Sequence, residues 1–592
     1  MTASLPMFCS ARLKAMMLSL IGVLMFAAVL PSAGQAAAAG DEMISVIVRM
    51  VGGSSATEPI EEAGGHVTGR LEIINGYKAE IPASEVGSIR RARGVHSVTE
   101  NARVNLLGFA PEYDAGNDMG SLYNLTRAIQ APEMWKKGFT GKGIGVALID
   151  SGVLPVEGLD AAGKVVNGPD LSFESQYDNL RYLDSYGHGT HMAGIIGGRD
   201  SSVPRFSEDA KDGFVGVAPD AKIVNIKVAD AEGATDVSQV IAAIDWVVQH
   251  RNDDGMNIKV LNLSFGTDGV QNYVLDPLSY AAEVAWHKGI TVVVAGGNSG
   301  YGSKKLNNPA YNPFVIAVGA VKANGTPDTK DDTVPEWSST GDGARNPDVV
   351  APGQSVSSLR APGSLIDTSN PQAVLHDRMF KGSGTSQSAA AVSGAAALLL
   401  QQRPNLTPDQ VKRILTKTAT PLPSADPVAQ GAGIINLKSA LTPSFSSYTL
   451  LASAQPYLRS TGLGSLDEAR GTARMADEGI ELRGEIDIMG TPWDATTWAK
   501  NALGEATWNG GLWNGTEWSG DGWTGISWTG RTWSGRTWSG RTWSGRTWSS
   551  IDYTGRTWSG RTWSGDGWAG RTWSGRTWSG RTWSNAGWGD PS

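Results

Sequence analysis

Asp150, His188, Asn298 and Ser386 are the side chains whose types and settings could together carry nucleophilic catalysis. A hydroxyl would attack, an imidazole would take its proton, a carboxylate would orient the imidazole, and an amide would steady a developing oxyanion. Asp150 ends the apolar run Gly145-Val146-Ala147-Leu148-Ile149 and enters the turn Ser151-Gly152. His188 stands between glycines in Tyr186-Gly187-His188-Gly189-Thr190-His191, ahead of a small-residue helical pattern; the glycines let other backbone come close to the ring. A zinc site of the His-Glu-x-x-His kind is not written there, and the spacing of His188 and His191 argues against metal. Asn298 lies beyond Gly296-Gly297 at the end of Thr291–Ala295, and Gly384-Thr385-Ser386 opens a small-residue helix running to Leu400. Free N–H groups and the positive dipole end at such a helix start favour negative charge on a neighbouring oxygen. Taken singly, each residue has an ordinary use: turn or cap for the aspartate, satisfied polar group for the histidine, strand-end turn for the asparagine, N-cap for the serine. Their order within one block, each at a strand end or helix start, is what the ordinary uses do not account for.

The elements that must position them are legible as alternation. Strand-like runs at 144–149, 221–228, 260–264 and 291–295 alternate with helical patterns at 237–249 and 280–287. Such alternation predicts a parallel sheet covered by helices on both faces, within a block spanning 122–443. Sites in open sheets of this kind form at the carboxyl ends of the strands. Thr407-Pro408-Asp409-Gln410 reads as a capping box opening a structural helix.

The segments around Asp150, His188, Asn298 and Ser386 resemble the signature blocks of the subtilisin-like (subtilase) serine peptidases, and the resemblance covers residues 122–443. It implies an α/β, subtilisin-like fold and a serine endopeptidase that hydrolyses protein or peptide substrates through an acyl-enzyme. The triad would be Asp150, His188 and Ser386, with Asn298 in the oxyanion hole. Asn262-Leu263-Ser264-Phe265-Gly266 resembles the family's cleft-lining strand, which implies substrate contact at Ser264 and Gly266. Pro347-Asp348-Val349-Val350-Ala351-Pro352-Gly353 resembles another family block. Two departures stand out. The family usually follows its nucleophile with Met-Ala-x-Pro, whereas this chain has Gln387-Ser388-Ala389-Ala390, and Ser151 replaces the commoner threonine.

Further resemblance implies that residues 43–105, read as strands and a short helix in a small α+β unit, form an inhibitory prosegment removed by the enzyme itself, through a cut in the connector 106–121. A slow-folding parallel sheet gives such a template a physical purpose. Arg12 and Lys14 ahead of the apolar run 15–30 and the small residues 33–40 read as a signal peptide over 1–39, so the chain is expected to be secreted, extracellular or surface associated. The one cysteine, Cys9, falls inside that segment, which excludes a thiol nucleophile and disulfides from the processed chain. A net charge of −8 offers no footprint for nucleic acid. No cofactor is required for this chemistry, and structural calcium is not readable from the sequence. A monomer is expected.

Residues 444–491 read as a linker, and 492–592 as a repetitive tail. From Trp493 to Trp588 an aromatic recurs every fifth residue, with tryptophan at eighteen of twenty positions, mostly as Gly-Arg-Thr-Trp-Ser. That period matches neither a helix face nor a strand face, so a repetitive coil or an unfolded chain is expected. Nine arginines stand two residues before tryptophans and allow cation–π pairing; flat rings also suit sugars, pointing to a cell-surface glycan as partner. The rival class is a surface adhesion or structural protein with an inactive protease domain. A polysaccharide hydrolase would need a pair of carboxylates at suitable separation, and no such pair stands out.

Overall fold

The computed structural model describes residues 43–51, 55–101, 113–203, 211, 213–269, 271–301, 305–326, 328–443, 454–477, 480–517, 548–549 and 563–564. The signal peptide, the first half of the connector and most of the tail lie outside the described residues. The chain divides into two units, 1–107 and 108–592.

In the first unit, β1 (Met43–Met50), β2 (His66–Leu71), β3 (Gly76–Pro82) and β4 (Val95–Glu100) form an antiparallel sheet in the order β2-β3-β1-β4. Helices α1 (Thr57–Glu62) and α2 (Val86–Arg91) supply Ile60 and Ile89 to a core with Val46, Val48, Ala79 and Ile81. Alternation along β3 places Tyr77, Ala79 and Ile81 inside, as its period of two requires.

The second unit begins before the expected start at 122. Ser121 caps α3 (Leu122–Ala128) by accepting from Asn124 N–H, and Asp118 accepts from the Ser357 hydroxyl, so residues 113–121 belong to the domain and not to a connector. After the short α4 (Pro132–Trp135), seven strands form one parallel sheet. They are β5 (Gly145–Asp150), β6 (Val165–Asp170), β7 (Lys222–Lys227), β8 (Ile258–Leu263), β9 (Thr291–Ala295), β10 (Ile316–Val321) and β11 (Val349–Pro352), in the order β11-β10-β9-β8-β5-β7-β6. Every residue of β5, β9 and β10 is buried, which explains why these strands read as continuous apolar runs. Helix α5 (His188–Gly197) packs with α9 (Thr385–Gln402), and α6 (Val237–His250) with α7 (Pro277–His287), covering the two faces. A short α8 (Leu365–Ser369) precedes α9, and α10 (Pro408–Thr418) follows it with the expected capping box of Thr407 and Gln410. Helix α9 lies against β8, β9, β10 and β11 and is buried from Thr385 to Leu400. Small residues permit this: a Cβ on Gly394 would sit 2.7 Å from that of Val217.

The expectation of a linker over 444–491 is corrected for its described part. Elements within 454–477 and 480–517 pack onto α6 and α7, and Leu466, Met475, Leu482, Ile488, Trp498, Trp508 and Trp513 join the same hydrophobic core as the sheet. Arg470 is fully buried and pairs through Nε with Asp236, the N-cap of α6, at 2.7 Å, while its Nη2 donates to Ile486 O at 2.6 Å. The first repeats of the tail are equally part of the domain. A helix over Ala495–Leu503 carries Trp498, whose indole N–H donates to Asp245 of α6 at 2.9 Å; Trp513 donates to the same oxygen at 2.9 Å. Trp508 donates to Ala242 O, also at 2.9 Å.

Residues 508–509, 512–513 and 516–517 form an antiparallel meander of two-residue strands. Its turns are Gly510-Gly511 (φ +58° and +89°) and Asn514-Gly515 (φ +47° and +84°), the left-handed pairs that close tight hairpins. Strands this short escape a periodicity search. Farther along, Trp548-Ser549 pairs in parallel with Trp563-Ser564, three periods later.

Candidate active site

Asp150 is the last residue of β5 and is fully buried. His188 is the first residue of α5, capped by Gly187 in a left-handed conformation (φ +108°) that a side chain would strain. The next residue must also be glycine, because a Cβ on Gly189 would collide with Gly152 O. These constraints bring His188 Nδ1 to 2.8 and 3.0 Å from the two Asp150 oxygens, with the ring 4% exposed. A carboxylate accepts, so the tautomer that fits this contact carries its proton on Nδ1. His191, one turn on, is a different kind of residue. Burial first, then the neighbouring His188, hold it down to about 3; it is neutral and its Nε2 faces Phe380 O at 3.1 Å.

A carboxylate missed from the sequence organises this corner. Asp184 is buried and accepts from Gly187 N–H at 2.6 Å, Thr190 N–H at 2.7 Å and the Ser151 hydroxyl at 2.8 Å. It thereby ties the residue after Asp150 to the first turn of α5. Burial pushes its carboxyl upward, against those three donors. The signal available was an aspartate four residues before the histidine, at cap distance from a helix start.

Ser386 sits in the first turn of α9, 1% exposed, and the cap position belongs to Gly384. Its hydroxyl donates to Ser264 O at 2.9 Å, just beyond the end of β8. Helix α9 runs unbroken from Thr385 to Gln402 across the position where the family has its proline. Ser264 returns a hydrogen bond from its own hydroxyl to Ser386 O at 3.2 Å and accepts from Asn262 at 2.7 Å. The Ser264 side chain is therefore fully engaged within the protein. Gly266 is required by packing, since a Cβ there would lie 2.7 Å from that of Asn307.

Asn298 follows Gly297 (φ +111°) beyond β9. Its Oδ1 accepts from Thr385 N–H at 2.9 Å and from the Thr385 hydroxyl at 3.0 Å; that hydroxyl accepts from Gly297 N–H at 3.1 Å. With the oxygen held by the residue preceding Ser386, the amide's donor end is turned away from Thr385. The arrangement thus couples a carboxylate to an imidazole and an amide to a helix start bearing a hydroxyl.

A separate cavity of about 510 Å³, lined by Lys164, Arg199, Asp220 and Lys222, lies near the starts of β6 and β7, at the opposite ends of the strands from this chemistry. Among the described residues no three His, Cys, Asp or Glu side chains converge as a metal-ligand set.

Comparison with known proteins agrees with the geometry. The model of the subtilase family matches residues 141–433. The chain is similar to serine protease AprX of Bacillus subtilis, 32% identical over 381 residues, which cover 63% of this chain and 80% of that protein. It is 29% identical to subtilisin E of the same organism over 383 residues (64% and 84%). Minor extracellular protease Epr, also from Bacillus subtilis, is 32% identical over 321 residues (53% and 41%).

Proposed function

The chain belongs to the subtilase family and is a subtilisin-like serine endopeptidase, and from that premise we propose that Asp150, His188 and Ser386 are its triad and Asn298 its oxyanion donor. The observation that carries the reading is the buried Asp150–His188 pair at 2.8 Å, whose histidine stands on a helix, α5, that packs against the helix bearing Ser386.

The mechanism follows the Ser-His-Asp template, of which subtilisin is a standing example. A turn about the Ser386 Cα–Cβ bond moves the hydroxyl proton from Ser264 O to His188 Nε2. As Oγ bonds to the peptide carbonyl carbon, Nε2 takes that proton and Asp150 stabilises the imidazolium. The carbonyl oxygen, now an anion, is met by the Asn298 amide and the Ser386 N–H at the positive end of α9. Collapse breaks the C–N bond and His188 returns the proton to the leaving nitrogen; water repeats the sequence on the acyl-enzyme. Ser386→Ala is expected to abolish casein hydrolysis. Asn298→Ala is expected to lower turnover about 10²–10³-fold, as its counterpart does in subtilisin, with folding intact. Full turnover in either variant refutes the assignment.

Substrate main chain is proposed to run along Ser264 to Gly266, with the backbone making the contact because the Ser264 hydroxyl is occupied. Residues 43–105 are proposed as the prosegment and 1–39 as the export signal. N-terminal sequencing of secreted wild type and of Ser386→Ala tests both: self-processing requires a shorter product from the first than from the second. For the tail, retention on cell-surface glycan is proposed. The test truncates after Glu517, since a cut at Thr491 would remove core tryptophans; unchanged binding to wall polysaccharide removes the idea.

A further inference from the structure

The wall that begins at the nucleophile ends against the carboxyl-terminal extension. Ser264 O holds the Ser386 hydroxyl, and two residues on, the Gly266 main chain has no hydrogen-bond partner among the described residues. Thr267 differs in every group. Its N–H donates to Asn308 O at 3.0 Å, its O accepts from Asn308 N–H at 2.8 Å, and its hydroxyl donates to Ala469 O at 2.6 Å. A peptide pairing with this edge therefore finds its last open main-chain groups at Gly266.

Just beyond stands a strap made of residues past 433, where the family match stops. It follows the short helix Leu466–Arg470. Asp268 accepts from Thr472 N–H at 2.6 Å and from the Thr472 hydroxyl at 2.7 Å, and a Cβ on Gly471 (φ +59°) would collide with Asp268 Oδ1. Two residues before Thr472, Arg470 pairs with Asp236, which closes the loop after β7. In the sheet β5 lies between β7 and β8, so the loops that follow β7 and β8 flank Asp150, and this one segment is bonded to both. Arg470 and Asp236 are fully buried, while Asp268 and Thr472 are exposed at the rim. The segment is thus anchored as a wall and not hung as a lid.

We propose that Ala469–Thr472 is a specificity element that ends the substrate cleft on the acyl side. The inference rests on Ser386 as nucleophile and on substrate running along Gly266. His188 serves the leaving group, which assigns the acyl side to the wall that starts at Ser264. Four residues separate Ser264 from Asp268, at most about 14 Å of chain, and an extended substrate covers that length in about four residues. A longer chain must turn out of the groove there, so side chains farther from the scissile bond go unread.

The full-length protein carries a single cysteine, Cys9, so a Cys9→Ser, Thr472→Cys variant presents one thiol, at the exposed rim. Its alkylation by iodoacetamide is timed alone and with peptide boronates of two and six residues, each checked for inhibition of casein hydrolysis. The short boronate should leave the rate unchanged, and the long one, seated against the strap, should slow it roughly tenfold. On wild type, kcat/KM for peptide amides should climb with acyl-side length to about four residues and then stay level. Protection by the short boronate, protection by neither, or a kcat/KM still climbing at six residues overturns the strap. Boronates that do not inhibit overturn the triad itself, and this inference with it.

Discussion

Replacing Asp245 with asparagine is expected to stabilise the protein above neutral pH and to change it little in acid. Asp245 is 3% exposed in α6, and one of its oxygens takes both the Trp498 and Trp513 indole protons. Burial pushes its carboxyl from 3.8 up to about 7, while bonds from Trp498, Trp513 and Thr507 pull it down. In the unfolded chain the group ionises at its ordinary value, so between pH 4 and 7 the folded state binds the extra proton. Stability contributed at this position therefore falls as pH rises across that window and stays at the lower level beyond it. The gap corresponds to roughly 4 kcal/mol. Asparagine keeps the shape and an acceptor for both indoles but has no charge to desolvate. Urea unfolding in a Ser386→Ala background, which prevents self-digestion, measures the difference between the parent and its Asp245→Asn variant at several pH values. Asp487 and Asp230, also raised to about 7, are shared by both proteins and cancel. A difference that does not grow from pH 4 to pH 8, or a variant less stable at pH 8, refutes the reasoning.

Thr385→Val removes the hydroxyl that holds Asn298 and receives Gly297 N–H; kcat should fall about 10–100-fold with KM little changed, read by steady-state kinetics on a peptide amide. Gly189→Ala forces a methyl onto Gly152 O, and soluble protein should lose the Asp150–His188 pair along with activity, visible as loss of the downfield Nδ1 proton resonance. Arg470→Ala strands the Asp236 carboxylate in the core and should cost about 3–5 kcal/mol in denaturant titration. A chain ending at Thr491 should be far less stable than one ending at Glu517, which should unfold like the full-length protein.

Four of the seven strands were legible because they are bounded by local chemistry: Thr291–Ala295 was read to the residue, and β5, β7 and β8 within two residues at either end, whereas β6, β10 and β11 were not read as strands. Asp150, His188, Asn298 and Ser386 could be picked out because each sits at a strand end or helix start marked by glycine. Asp184 was passed over although its place four residues before His188 was a signal, because the link that gives it its role, from the Ser151 hydroxyl to the first turn of α5, is made only in the fold. Ser264 was read as a substrate contact, and the structure shows a further use of it that the sequence did not suggest: its hydroxyl holds the turn of α9. The carboxyl-terminal stretch failed for a different reason. Its anchors, Asp236 and Asp245, lie more than 200 residues earlier and carry no mark of a distant indole or guanidinium partner.

Homology and folding have different borders in this protein. The family match stops at residue 433, but the cooperative body runs on to Glu517, clasped over α6 by the first members of an array that continues past it. Because the first copies of the repeat are part of that core, the array cannot be shortened from its inner end. A truncation, tag or chimera designed on this chain should therefore leave Trp498, Trp508 and Trp513 in place.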